Sequence, residues 1–508
     1  MAAGMLLGDL AHRGALLGAD RAAIVWQGRT RTYGELAART RATAGLLAAA
    51  GVAEGSRVAV CSTNSPEVIE TCLAAALLGA VVVPLNVRLN AAEIRFQVED
   101  AGVTHGIVHP ALAALVSDSG LGDRQVWAIG TELDAAVAAA DPLPVDAPRP
   151  PDSAPCIHLY TSGTTGTPKG CLLTQRGWLS SNANLAHALG VTYDDRLLGL
   201  FPFFHVAGFG IALAHLTMGA TVVIPESTDT ESLWRLVEER GLTTISLPGL
   251  RGALAHPMAD KVDRRSIRTV FGGANMESTK TFDALADVVP GAVFRGVYGS
   301  TEAGNFVTVS TASEERERPG TIGRPLFGFD AAILGDDDAE LPPGEPGELG
   351  LRGCSTMVGY WNRPEATEEA LRHGWLHTGD LMRLDADGFL YFVDRAKDMI
   401  KPGGENVYSI EVETVLLAHP AVLDCAVIGV PDHRWGEAVK AIVVVAAGRD
   451  VRPEELDAHC LEHLASFKRP RWYEFAAEIP RSATNKIVKK DLRAAHDPAR
   501  AVRLPERS

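Results

Sequence analysis

Tyr160-Thr161-Ser162-Gly163-Thr164-Thr165-Gly166-Thr167-Pro168-Lys169-Gly170 is the stretch whose reading decides the fold. Gly163 and Gly166 let the backbone approach a ligand closely and turn its N–H groups inward. The hydroxyls of Thr161, Ser162, Thr164, Thr165 and Thr167 add short donors, and Lys169 adds a positive charge. A loop of this kind wraps a polyphosphate. Its spacing is not that of the ATPase P-loop, because Gly170 follows Lys169 where that motif needs Ser or Thr. The flanks suit the role. Cys156–Tyr160 reads as a buried strand, and Thr174 as the cap of a helix running to about Leu189. A plain Ser/Gly/Thr spacer would not need a lysine after a rigid proline.

The chain has 508 residues, enough for more than one domain and a large core. Apolar content of 46% and charged content of 22% are those of an ordinary globular protein. A formal net charge of -15 argues against a nucleic-acid partner. The seven cysteines are scattered without a C-x-x-C pair, which suggests reduced core residues of a cytoplasmic protein. The N-terminus lacks a signal-peptide pattern. The longest apolar run, Cys72 to Leu85, contains Gly79 and Pro84 and is too short to span a bilayer.

Upstream of the loop, a helix over Tyr33–Ala50, a strand at Arg57–Cys61, a helix over Pro66–Leu78 and a strand at Ala80–Pro84 predict a parallel sheet covered by helices. Strands at Arg196–Phe201 and Ala220–Ile224 and a helix over Thr230–Arg240 continue the pattern. From about Gly320, short apolar runs alternate with turn signals, which predicts antiparallel strands in a small barrel-like subdomain. After Asp394–Lys397 the spacing predicts a helix at Ser409–Ala418, strands at Asp424–Gly429 and Val439–Val445, and a helix at Pro453–Leu464.

Further motifs bear on chemistry. Tyr298-Gly299-Ser300-Thr301-Glu302-Ala303-Gly304 sets a carboxylate after two hydroxyls, suited to Mg²⁺ beside a triphosphate, though a capped turn reads equally well in isolation. Gly272-Gly273-Ala274-Asn275, His377-Thr378-Gly379-Asp380 with Tyr391–Arg395, Lys397–Val407 with Gly403-Gly404, and Pro480–Lys486 follow in order. Phe201-Pro-Phe-Phe-His205 places a histidine among aromatics, where packing competes with function.

Taken together, these motifs resemble those of the adenylate-forming enzymes, the superfamily of acyl-CoA synthetases, peptide-synthetase adenylation domains and beetle luciferases, with acyl-CoA ligases the best fit. The resemblance covers about residues 8 to 493. It implies an α/β fold: a large N-terminal AMP-binding domain over 1–396, with doubly wound mixed sheets and the small barrel-like part, and a mobile α+β C-terminal domain over 397–508. It implies ATP, Mg²⁺ and CoA, with Lys169 and the loop hydroxyls on the phosphates and Glu302 and Thr161 on the metal. The Gly273-Ala274-Asn275 segment and Tyr298 through Thr301 would take adenine, Asp380 the ribose hydroxyls, and Arg395 the ribose or phosphate. Lys486 would act at the reacting phosphorus, where an ammonium offsets crowded negative charge. Lys397 falls at the hinge, and His205 beside the substrate carboxylate. Gly403 and Gly404 would line the pantetheine tunnel. Trp435, Phe467, Arg469 and Arg471 lie where relatives contact the CoA nucleotide, against a rival reading of Trp435 as core and the arginines as a solvated face.

Ser300, Gly304-Asn305 and Pro248–Arg251 depart from the commonest residues and leave the acid open. Gly208, Gly210, Gly249, Gly273 and Gly304 leave out side chains along the expected acyl site, which points to a bulky aryl, polycyclic or medium-to-long acyl acid. Two alternatives stand beside the CoA ligase. One adenylates an acid for a carrier protein or another nucleophile, and the other is a non-catalytic nucleotide-binding protein. A homodimer is compatible with every reading.

Overall fold

The computed structural model describes residues 5–504 apart from 162–167, 276 and 482–486. Two compact units emerge. The first comprises residues 1–332, 350–378 and 385–391, and the second 333–349, 379–384 and 392–508.

The first unit opens as its sequence dictates. Tyr33–Ala49 is a helix because Thr32 and Glu35 form a reciprocal cap, each side chain satisfying the other's backbone N–H. The strands Arg57–Cys61, Val81–Pro84, His105–Val108 and Gln125–Ala128 are parallel neighbours, and Pro155–Thr161 joins Val81–Pro84 in the same sense. Their runs of Val, Ile and Ala are buried on both faces, as a helix-covered parallel sheet requires. Pro66–Leu77 is the crossover helix, with Pro66 in the first turn, where its missing N–H costs nothing.

Order in the sheet reverses at the phosphate loop. Pro155–Thr161 pairs antiparallel with Lys169–Thr174, which in turn pairs antiparallel with Gly359–Tyr360. Thr174 then caps the helix Gln175–Leu189, its hydroxyl accepting from the Gly177 N–H at 3.1 Å. A second sheet in this unit carries Thr244–Ile245, Thr269–Gly273 and Val293–Ser300 in parallel, then Asn305–Thr311 antiparallel. Trp234, Phe282, Phe294 and their aliphatic neighbours fill the core beside it. Arg196–Leu198 is shorter than the sequence suggests; the Gly199 N–H still donates to the Val223 carbonyl at 2.8 Å, and the strand ends there.

Past Gly320, short strands at Thr321–Pro325, Phe329–Leu334, Pro346–Gly353, Leu376–Leu384 and Leu390–Arg395 alternate with turns. In the second unit Ser409–Ala418 and Pro453–His463 are helices. They belong to a core with Ile400, Val427, Val443 and Tyr473. Its four-stranded sheet runs Val422–Asp432, Gly436–Val445, Trp472–Phe475, Val502–Arg503. Trp472–Phe475 lies parallel to Gly436–Val445, a pairing that local periodicity does not reveal.

Arg469 corrects the sequence reading. It is 2% exposed and ion-paired with Asp457, itself 3% exposed, so it serves neither as a solvated cation nor as an accessible CoA contact. Lysine-arginine clusters usually face water, but here a buried carboxylate on the helix Pro453–His463 overrides that preference. Removing one partner strands a buried charge. Asp457→Ala should therefore destabilise the second unit by about 3–5 kcal/mol. Urea unfolding should show this as a lowered midpoint, and Asp457→Ala/Arg469→Met should recover most of the loss.

Candidate active site

Thr161 and Lys169 face each other across the mouth of the phosphate-loop hairpin. Ser162, Gly163, Thr164 and Thr165 lie within the loop, outside the described residues, as does Lys486. Lys169 leaves the loop as the first residue of a strand, which fixes its backbone.

A residue that the motifs do not flag joins Lys169 to Glu302. The Lys169 Nζ sits 4.8 Å from the centre of the Tyr360 ring, a cation–π separation. The Tyr360 hydroxyl donates to Glu302 Oε1 at 3.0 Å. Burial, then the Glu302 charge and this hydrogen bond, push the Tyr360 phenol well above its usual range, so it remains a donor. Tyr360 is held by pairing with Cys171, and the Trp361 N–H donates to the Gly170 carbonyl at 2.8 Å. The Met357 N–H donates to the Glu302 carbonyl at 2.7 Å. Three segments distant in sequence are thereby joined.

Asp100 anchors the same segment from below. Its side chain accepts from the Tyr160 hydroxyl and from Arg363, each at 2.8 Å, and its carbonyl accepts from the Trp361 indole at 2.9 Å. The Arg57 guanidinium lies 3.7 Å from the Trp361 ring centre.

Tyr298, Gly299 and Ser300 end the strand Val293–Ser300, and Thr301 follows in the turn. Gly272 and Gly273 pair with Gly296 and Val297, and the Ala274 N–H donates to the Val297 carbonyl at 3.0 Å. Asn275 has φ 56, a left-handed conformation that Asn tolerates. Its N–H donates to Glu315 Oε2 at 3.2 Å, while Glu315 Oε1 accepts from Ser310 at 2.5 Å. Burial raises the Glu315 carboxyl above the usual range, with the two hydrogen bonds opposing. Glu315 thus supports the Gly273–Asn275 turn from behind.

His205 stands just before the helix Val206–Thr217, its ring 4.7 Å from that of Phe204. Asn64 shapes this turn, donating to the Phe201 carbonyl and accepting from the Phe203 N–H, each at 2.8 Å. The pocket glycines divide. At Gly208 a Cβ would lie 2.3 Å from the Pro202 carbonyl, and at Gly304 one would lie 2.2 Å from that of Ser355. At Gly210 the Asn305 amide occupies the space, 1.9 Å from where a Cβ would be. At these three glycines the protein itself fills the place of a side chain, so the missing side chains do not by themselves open space for an acid, a correction to the sequence expectation. A Cβ on Gly249 would meet nothing.

Within the second unit, Arg395 lies 3.4 Å from Asp380. The Gly403 N–H donates to the Trp435 carbonyl at 2.8 Å, and a Cβ on Gly403 would sit 2.8 Å from the Trp435 ring. Gly404 shares this turn, Pro402–Gly404. Burial, with Arg395 next, lowers the Lys397 ammonium from its usual value.

Set against known proteins, residues 12–361 match the model of the AMP-binding enzyme family and residues 411–486 that of the AMP-binding enzyme C-terminal domain. A feruloyl-CoA synthase of Amycolatopsis sp is 39% identical over 491 residues, covering 96% of this chain and 98% of that one. A fatty acid–[acyl-carrier-protein] ligase of Streptomyces coeruleorubidus, ScoC, is 36% identical, covering 93% and 92%. The structure of o-succinylbenzoate CoA synthetase from Bacillus subtilis with its acyl-adenylate superimposes with a TM-score of 0.84 at 31% identity, covering 96% and 98%. The chain belongs to the AMP-binding, adenylate-forming enzyme family. Within that family it is an acid–thiol ligase that uses ATP, Mg²⁺ and CoA. Among the described residues no helix is long and apolar enough to cross a membrane.

Glu302, a hard oxygen donor, is chemically suited to Mg²⁺. If the Tyr360 hydroxyl orients it, Tyr360→Phe should raise KM for MgATP about tenfold, the loss of one charge-assisted hydrogen bond. Pyrophosphate release at varied MgATP measures this, and thermal stability should move little.

Proposed function

We propose that the chain activates a bulky aryl or extended acyl acid as its adenylate and passes it to CoA. The bridge from Lys169 through Tyr360 to Glu302 carries this reading, because it sets a cation and a hard carboxylate on one rigid frame. A carboxylate's oxygen is a poor leaving group, and replacing it with AMP makes thiol attack feasible. Lys169 would hold phosphate oxygens, and Glu302 and Thr161 would hold Mg²⁺, which would supply neutralisation of the phosphate charge. Tyr298, Gly299, Ser300, Thr301 and the Gly273-Ala274-Asn275 turn receive adenine, and Asp380 with Arg395 the ribose. Lys486 stabilises the crowded phosphorus during adenylation. The C-terminal domain, taken from residue 397, then turns about Lys397 so that Gly403, Gly404 and Trp435 meet CoA.

An aryl acid with a polar substituent is the favoured substrate. The identity to a feruloyl-CoA synthase supports it. So does Asn305, 1% exposed and three residues past Glu302, whose two amide atoms have no partner among the described residues. Such a group costs about 1–3 kcal/mol when unsatisfied, a cost that a substrate hydroxyl or carbonyl removes. His205 orients the acid's carboxylate. A carrier protein is the second acceptor to test, given the likeness to ScoC. The cytoplasm is the compartment proposed for the enzyme, and a homodimer is compatible with this chemistry.

The decisive assay is pyrophosphate release over acids of increasing size, with and without CoA. Hydroxylated aryl acids should outcompete acetate, and acyl-CoA should accumulate only with CoA present. Acetate preference would overturn the substrate class, and release without thioester formation would favour the carrier reading. Lys486→Ala should abolish adenylation yet retain thioester formation from supplied acyl-adenylate, and equal loss of both half-reactions would contradict its role.

A further inference from the structure

On the helix Pro453–His463, His459, Glu462 and His463 stand three and four residues apart and so share one face. One ligand atom from each lies within 4.8 Å of the others. Two of these side chains are exposed and His459 is half-buried, so solvent ions reach them.

Hydrogen bonds set the tautomer of each ring. His459 Nε2 lies 2.9 Å from the Val415 carbonyl, which accepts only from a protonated nitrogen, so Nδ1 keeps its lone pair. His463 Nδ1 lies 2.9 Å from the His459 carbonyl, which leaves Nε2 with the lone pair. A metal-bound histidine characteristically donates its second ring N–H to such a carbonyl, which orients the ring and raises its basicity. Glu462 makes no hydrogen bond or ion pair among the described residues, so its carboxylate is available. His419, with its ring 5.2 Å from that of His459, is not a ligand, because its Nδ1 accepts the Ala421 N–H.

We propose that His459, Glu462 and His463 form a binding site for a divalent transition ion of the zinc class, separate from the Mg²⁺ of the ligase reaction. Two imidazoles and one carboxylate select zinc, nickel, cobalt or copper over magnesium, which prefers all-oxygen shells. Three ligands leave room for water to complete the shell. The bound ion fixes the His459 ring, whose N–H reaches back to Val415 on the helix Ser409–Ala418. Cys460, next in sequence, is in the core with Leu416 and Leu456, so the ion tightens the joint between the two helices.

Untagged full-length protein carrying Cys354→Ser, to remove the exposed thiol, is titrated with Co²⁺ in excess Mg²⁺ and followed by visible absorption. One Co²⁺ per chain should bind and be displaced by Zn²⁺. His463→Gln, which changes an exposed side chain, should abolish this binding, and Glu462→Gln should weaken it. Zn²⁺ should raise the melting temperature of the parent protein but not that of His463→Gln. Absence of saturable Co²⁺ absorption in the parent, or its persistence in His459→Gln/His463→Gln, overturns the site.

Discussion

The Tyr360 hydroxyl, 3.0 Å from Glu302 with the Lys169 ammonium over its ring, is the constraint on which the proposed nucleotide site depends. For the proposed roles of Lys169 and Glu302 at one triphosphate, the cation and the carboxylate must be close, yet must not neutralise each other in its absence. A phenol between them meets both demands. Its edge hydroxyl donates to the carboxylate, and its face attracts the ammonium. Burial keeps that phenol protonated, so the bridge persists across the working pH range.

The surrounding structure secures the bridge by hydrogen bonds of high sequence separation. Asp100 gathers Tyr160, Trp361 and Arg363, tying the strand that enters the phosphate loop to the segment that carries Tyr360. Glu315 does comparable work at the other edge, holding Asn275 in its left-handed turn. In each case a carboxylate accepts two donors at once, which confers rigidity where side-chain packing alone would allow drift. The second unit follows another logic. There Arg469–Asp457 is a fully buried pair, and its desolvation is offset by mutual attraction.

Much of this was legible from local pattern. The helices Tyr33–Ala49, Thr230–Arg240 and Ser409–Ala418 and the parallel strands Arg57–Cys61 and Val81–Pro84 announce themselves by caps, periodicity and β-branched runs. The glycine-rich loop and the Glu302 motif likewise suggest their proposed chemistry in a few consecutive residues. Tyr360, Asp100, Glu315 and Asn64 do not. Each acts through a partner tens to hundreds of residues away, and a lone tyrosine or carboxylate in an ordinary context has no local signature. The pocket glycines mislead for a related reason. A missing side chain signals close approach, but not whether ligand or protein approaches, and at Gly304 the visitor is the Ser355 carbonyl.

Six of the seven cysteines are buried, and burial pushes the thiols of Cys61, Cys72, Cys156, Cys171, Cys425 and Cys460 above their ordinary value. Cys354 alone is exposed, its sulfur 2.8 Å from the Ser180 hydroxyl. It lies three residues before Met357, on the segment that grips the Glu302 backbone. For alkylating dyes and spin labels the native chain therefore offers a single handle, and that handle sits beside the frame of the proposed nucleotide site.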